Sequence, residues 1–284
     1  MPNATYIIAR LHAKPVLDAR RAGQPAAEMS LDLGLTRVEL ALSDTGVVLP
    51  SGGVLSWAAL EKIAGKDDNC FAVDSRGRAD AVHRFSPGFR RSYTLRATAG
   101  APTILIGGFP MHRIKEITPD QDTERKMAAI GPLSGAVLDT TTGLGYASIA
   151  AARQGARVTS IELDPVVLEI ARLNPWSAQL FDNPAITQLT GSSFDRVPEM
   201  PDAAFTGVLH DPPTLALAGD LYSLAFYRHL FRVLRPGGKL FHYIGDLESR
   251  SGAVVAKGVA RRLQEAGFRR VDRRPDAFAL VALR

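Results

Sequence analysis

Apolar and polar positions follow two regimes along the chain. Up to about residue 110 the apolar runs are short and often alternate with polar residues. In "RVELALSDTGVVLPSGGVLSW" (Arg37 to Trp57) they are broken by Asp44-Thr45-Gly46 and Ser51-Gly52-Gly53, which is strand-turn-strand chemistry. "SWAALEKIAG" predicts a short helix with Ser56 as N-cap and Gly65 as stop. "CFAVDSRGRADAVHRF" predicts a hairpin turning at Ser75-Arg76-Gly77, and "SYTLRAT" and "PTILIGG" predict two more strands. Together these elements describe a small α+β, mostly β, N-terminal domain over residues 1–117.

From Thr118 the period changes. "TPDQDTERKMAAI" predicts a capped helix with acids early and a lysine late. Strands and helices then alternate. "AVLDT", "RVTSIEL", "ITQLTG", "TGVLHD" and "KLFHYIG" predict strands, followed by two near "FRRVD" and "AFALVAL". "YASIAAARQG", "PVVLEIARLN", "LYSLAFYRHLFRVLR" and "AVVAKGVARRLQEAG" predict helices. This alternation over residues 118–284 implies an α/β fold with a mostly parallel sheet covered by helices. Ligands of such sheets bind beyond the carboxyl ends of the strands, at the point where the strand order reverses.

Composition narrows the setting. A hydrophobic share of 46% in 284 residues is enough for one large domain or two modest ones. The single cysteine, Cys70, excludes an intrachain disulfide and reads as a buried core residue. The segment "MPNATYIIARLHAK" does not read as a leader, and no run reaches the ~18 apolar residues of a membrane span. The expectation is a soluble cytoplasmic protein that engages no membrane. Net charge is +5, yet residues 250–284 hold nine Lys/Arg against three Asp/Glu, a surplus of six, so the remainder is near neutral. This basic C-terminal region reads first as a solvated edge, and second as a surface that attracts phosphates or an acidic partner. No Cys/His cluster has zinc spacing, so no metal is expected.

The chemistry concentrates at "LDTTTGLGY", Leu138 to Tyr146. A strand ends at Asp139, and Gly143 and Gly145 allow a tight turn and close backbone approach to a ligand. Glu162 lies 23 residues after Asp139, at the tip of the next strand, where it can accept hydrogen bonds from the ribose hydroxyls of a nucleoside. An acid opening the glycine loop would repel a pyrophosphate. It suits a cationic amino group, which favours S-adenosylmethionine over a dinucleotide.

At these residues the chain resembles the class I S-adenosylmethionine-dependent methyltransferases, over about residues 120–284. The family's loop reads D-x-G-x-G-x-G; here Thr141 replaces the first glycine. "TGSSFD" resembles the adenine-side loop after the third strand, "VLHDPPT" the fourth-strand motif and "LRPGGKL" the turn into the fifth strand. A narrower resemblance, carried by "GLGY", "ARLNPWS", "HDPPT", "GDLYSLAFYRHLFRVLRPGGKLFHYIG" and "GFPMHRIKEITP", is to a family of predicted methyltransferases widespread in archaea and related to spermidine synthases. It implies a Rossmann-like seven-stranded methyltransferase sheet behind the small mostly-β domain. It also implies S-adenosyl-L-methionine as cofactor, held by Asp139, Thr140, Thr141, Gly143, Gly145, Glu162, Leu163, Ser193, Phe194 and Asp211.

Asp211-Pro212-Pro213 resembles the D-P-P-Y loop of amino-methyltransferases, whose acid and a proline-region carbonyl accept hydrogen bonds from the target amine. Asp211 is therefore expected to be catalytic. Thr214 stands where that motif has an aromatic. His210 reads equally as a base or as a strand-end residue. His112, Arg113 and Lys115 could bind an anionic substrate or form interdomain ion pairs, and Trp176 is expected to pack. The partners expected are an unidentified methyl acceptor, an anionic partner at the basic region and a second copy of the chain. The alternative activity is aminopropyl transfer from decarboxylated S-adenosylmethionine. Against it, the glycine loop is neutral and no second aspartate follows Asp211 closely. A cofactor-binding regulator without activity is the third reading.

Overall fold

The computed structural model describes residues 5–65, 67–215 and 217–284. The first four residues of the segment read for a leader lie outside them. By internal contacts the chain divides into two compact units. One comprises Met1–Pro119 with Val166–Ala178, and the other Asp120–Pro165 with Gln179–Arg284.

In the first unit, Ser56 caps the helix Trp57–Ala64 by accepting the Ala59 N–H at 3.2 Å. Strand Phe71–Val73 pairs antiparallel with Ala79–Ala81 across the expected hairpin turn. Strands His83–Ser86, Arg91–Arg96, Thr103–Ile106 and Phe109–Pro110 form a four-stranded antiparallel sheet, each paired with the next. No local signal predicts a helix near the N-terminus, but Arg10–Arg21 is one. Pro15 lies inside it and removes one helical hydrogen bond. Burial of Ala13, Val16 and Leu17 against a core that includes Ile8, Leu60 and Ile63 stabilises the helix despite that loss. Cys70 is fully buried, as expected of a core residue.

The second unit is built on seven strands: β1 (Gly135–Asp139), β2 (Ala156–Glu162), β3 (Ile186–Thr190), β4 (Phe205–His210), β5 (Leu234–Tyr243), β6 (Arg270–Arg274) and β7 (Ala279–Leu283). Their spatial order is β3-β2-β1-β4-β5-β7-β6, parallel except for β7. The main helices here are α1 (Pro119–Ile130), α2 (Tyr146–Arg153), α4 (Leu224–Val233) and α5 (Arg250–Glu265), while α3 (Pro165–Leu173), which follows β2 in sequence, falls from Val166 onward in the first unit. Phe226, Tyr227 and Leu230 of α4, with Val259 and Leu263 of α5, pack on Leu138, Val208, Leu240 and Leu280 of the sheet.

The "LRPGG" turn is absorbed into β5. Pairing with β4 jumps from Phe205–Leu234 to Gly207–Lys239, so the residues between bulge out within the strand instead of preceding it. Because β2 and β4 flank β1 on opposite sides, the strand order reverses beside β1. The carboxyl ends of β1 and β4 therefore open the crevice where this architecture binds ligands.

Candidate functional site

The loop leaving β1 is stitched to both neighbouring strands. Thr140 N–H donates to the Leu209 carbonyl of β4 (3.0 Å), and Thr142 N–H to the Ile161 carbonyl of β2 (2.9 Å). Gly145, at φ +79°, is the N-cap of α2, and a Cβ there would stand 2.6 Å from Leu180 Cδ2. This glycine is required by packing. Gly143, at φ +54°, differs: a Cβ built on it meets nothing within 4 Å. Its open side is the one available to a ligand.

Asp139 is 1% exposed and acts on the loop itself. Its Oδ2 accepts from the Ser148 hydroxyl (2.6 Å) and the Ser160 hydroxyl (3.4 Å), and its Oδ1 from the Thr141 N–H (3.2 Å). Thr142 Oγ1 lies 2.6 Å from Ser160 Oγ and completes a buried hydroxyl cluster. Burial pushes the Asp139 carboxyl up to about 6, against the lowering effect of its hydrogen bonds. With both oxygens engaged inside the protein, Asp139 offers a bound cation its charge more than a direct contact. Neither Ser148 nor Ser160 is among the residues that the motifs single out. The signal available was their position: Ser160 lies two residues before Glu162, on the same face of β2.

Glu162 ends β2 and is 9% exposed. Its Oε2 accepts the Gly143 N–H (2.8 Å) and its Oε1 the Asp164 N–H (3.1 Å). Burial raises its pKa to about 7, with the nearby carboxylates Asp139 and Asp164 adding to the rise. The third loop is joined to the first, since the Ser193 hydroxyl donates to the Thr140 carbonyl. Leu163 and Phe194 are large apolar side chains left 48% and 37% exposed beside these polar groups. The Phe194 ring stacks on Phe226 with centroids 6.0 Å apart. Thr141 Oγ1 is buried and has no hydrogen-bond partner among the described residues.

On β4, His210 is wholly buried. Its Nε2 lies 3.0 Å from the Leu221 carbonyl, which can only accept, so Nε2 carries the proton. Its Nδ1 therefore accepts from the Thr140 hydroxyl at 2.7 Å. Burial lowers its pKa to about 4. Of the two readings of His210, this geometry fits the strand-end residue: neither nitrogen is left to act as a base. His242 of β5, also fully buried, lies 4.4 Å from it ring to ring, and its Nε2 is 2.8 Å from Tyr227 Oη.

Asp211 follows immediately. Its Oδ2 lies 2.6 Å from Lys126 Nζ, and its side chain is 30% exposed. Lys126 also pairs with Asp122 Oδ2 at 3.0 Å, one turn earlier on α1, and its Nζ sits 5.0 Å over the Tyr243 ring. Burial alone would lower the Lys126 pKa, but the charges of Asp211 and then Asp122 outweigh it and hold it above the usual lysine range. Tyr222 Oη donates to the Pro213 carbonyl (3.1 Å) and fixes the proline turn. Sequence spacing could suggest the Asp122–Lys126 pair, but not a partner 85 residues away. His112, in the first unit, bonds through Nδ1 to Thr103 Oγ1 (3.0 Å), and the Trp176 indole donates to the Leu33 carbonyl (3.0 Å). Both serve packing of that unit.

The family model described as a methyltransferase domain matches residues 138–242, from the end of β1 through β5. The uncharacterized protein MJ1233 of Methanocaldococcus jannaschii is 38% identical over 286 residues, 98% of this chain and 95% of its own length. The chain belongs to the S-adenosylmethionine-dependent methyltransferases. The methyltransferase is also 32% identical over 153 residues to the ribosomal protein L11 methyltransferase of Geobacillus kaustophilus, a match covering 52% of this chain and 43% of that one. The solved spermidine synthase of Thermotoga maritima shares the fold, with a TM-score of 0.54 at 15% identity over 71% of this chain and 70% of that one. The cofactor is S-adenosylmethionine. The structure fits it: Gly143 has an open side, Thr141 a buried hydroxyl without a partner, and Glu162 a carboxylate at a strand tip. Among the described residues no helix is long and apolar enough to cross a membrane.

Proposed function

We propose that this methyltransferase acts on a nitrogen atom of its acceptor, with Asp211 as the group that receives and orients that nitrogen. The observation that carries the reading is the state of the Asp211 carboxylate. Lys126 fixes its Oδ2 at 2.6 Å, while Oδ1 makes no hydrogen bond among the described residues. Asp211 follows the carboxyl end of β4, beside the end of β1, next to the crevice where the strand order reverses, and its side chain is partly exposed.

Glu162 would hold the ribose hydroxyls, and Leu163 and Phe194 would flank the base. Ser193 ties the third loop to the first, and Gly143 with Thr141 would border the amino-acid end. When bound, the cofactor supplies an electrophilic methyl group on a positively charged sulfur. Asp211 Oδ1 accepts an N–H from the acceptor and thereby points the nitrogen lone pair along the line of displacement. Positioning of this kind supplies most of the rate in such a transfer. His210 is a positioning residue. Through Thr140 it couples the end of β4 to the glycine loop, so Asp211 and the cofactor loop are set by one hydrogen-bonded frame.

Aminopropyl transfer is the competing activity. The shared fold with spermidine synthase is compatible with either. A polyamine acceptor needs acidic groups for its ammonium charges, and here Asp211 is already paired with a buried lysine. Calorimetry tests the reading. S-adenosylmethionine and S-adenosylhomocysteine should bind, and the decarboxylated cofactor more weakly. Tighter binding of the decarboxylated form would overturn methyl transfer.

A further inference from the structure

Lys126 is a fully buried cation built into the reaction side of the site, and the orientation of Asp211 needs only one of its properties. A neutral donor could hold Asp211 Oδ2 equally well. The chain uses an ammonium instead and keeps it charged with a second carboxylate, Asp122, 3.0 Å away. Tyr243 closes the assembly from β5, its ring 5.0 Å from Nζ. The result is a carboxylate–ammonium–carboxylate row in which only Asp211 reaches partial exposure, its side chain at 30% against 6% for Lys126 and 1% for Asp122.

The electrostatic consequence is specific. Without Lys126 the row would carry two negative charges next to the buried acid Asp139, an environment that attracts polycations. With Lys126 in place the row carries one net negative charge instead of two, and an incoming ammonium meets a fixed positive charge behind Asp211. At low effective dielectric such a charge acts strongly over a few ångströms. A neutral N–H group can still donate to Asp211 Oδ1.

We propose that Lys126 is a specificity residue of the acceptor site: it offsets the charge of Asp211 and sets a cation behind it, so that the site takes a neutral nitrogen nucleophile in preference to polyamine cations. The inference rests on the nitrogen-methyltransferase reading given above. In addition, a fixed cation at this position disfavours the ammonium form of an acceptor amine, which keeps its lone pair available.

The test uses the full-length protein saturated with S-adenosylhomocysteine, with spermidine as the polycation probe in titration calorimetry. Wild-type protein should bind spermidine no more tightly than about 1 mM. Lys126→Met should bind it at least about tenfold more tightly, whereas Lys126→Arg, which keeps the charge, should behave as wild type. Affinity for S-adenosylhomocysteine, measured first on each variant, reports whether the cofactor site is intact. With that affinity kept, an unchanged spermidine affinity in Lys126→Met overturns the proposal. If Lys126→Met does not fold, the wild-type titration decides: spermidine affinity tighter than about 100 μM overturns the gate, and affinity near 1 mM or weaker supports it. Loss of cofactor binding by the wild type would instead remove the methyltransferase reading and leave the charge measurement standing on its own.

Discussion

The backbone N–H of Gly143 donates to Glu162 Oε2 at 2.8 Å, so the glycine loop and the acid at the tip of β2 form one device. Removing the acid should therefore loosen the loop as well as remove the proposed ribose contact. Glu162→Ala should weaken S-adenosylmethionine binding by roughly 1–3 kcal/mol, the range for lost charge-assisted hydrogen bonds. Glu162→Gln, which still offers an oxygen to Gly143, should lose less. Calorimetry of both variants checks this; unchanged affinity in Glu162→Ala would remove the ribose role.

The pH dependence of that same carboxyl has a definite sign. Burial raises its folded pKa to about 7, above the ordinary glutamate value of 4.5. The folded protein therefore binds the proton more tightly than the unfolded chain does. The stability this provides is present below pH 4.5 and is lost as pH rises to about 7. In Glu162→Gln this loss disappears. The melting temperature of the variant minus that of the wild type, both without cofactor, should grow between pH 5 and 7.5. Cofactor affinity of the wild type should rise over the same interval, because the ionised carboxylate is the better acceptor. A flat difference across the range would show that Glu162 titrates normally.

The two glycines of the loop should fail in different ways. Gly145→Ala puts a methyl 2.6 Å from Leu180 Cδ2 in a left-handed backbone conformation, and should cost stability of roughly 1–3 kcal/mol. Gly143→Ala meets no neighbour; the left-handed conformation alone should cost about 1 kcal/mol. Its added methyl occupies the open side, so cofactor affinity should fall by more than stability does. Urea unfolding and calorimetry on the pair separate the effects, and equal stability losses would contradict the assignment.

Asp211→Asn should keep cofactor affinity within about threefold while methyl transfer falls by about a hundredfold or more. Transfer of labelled methyl from S-adenosylmethionine to acceptors in a cell extract provides the measurement. Full transfer in the variant would exclude Asp211 from the reaction.

The fold of the second unit was legible because its signals are local. Period-two and helical runs marked the strands and helices, and Asp139, Gly143, Gly145 and Glu162 carry fixed meanings at the ends of consecutive strands. The helix Arg10–Arg21 was not legible, since Pro15 argues locally against it and the compensating burial comes from distant residues. The site was legible as a set of residues but not as a set of roles. Asp139 sits where an amino-group acceptor was expected, yet Ser148 and Ser160, brought in from α2 and β2, occupy one of its oxygens. His210 is adjacent to the reaction loop in sequence, but its side chain turns into the core, which only the positions of Thr140 and Leu221 reveal. The pairing of Lys126 with Asp211 joins a helix before β1 to the end of β4, a closure that no local pattern encodes.

The tilted imidazoles of His210 and His242 carry a consequence for stability in acid. Burial holds the pKa of His210 near 4 and that of His242 well below 6.5, the neighbouring ring adding to the second effect. An unfolded chain would protonate both near 6.5. Their contribution to folding is therefore complete above that value and disappears as pH falls toward 4. Two charges cannot be accommodated 4.4 Å apart between aromatic rings. The imidazole pair thus behaves as an acid fuse within the core: its share of the folding free energy is withdrawn as the surroundings turn acidic.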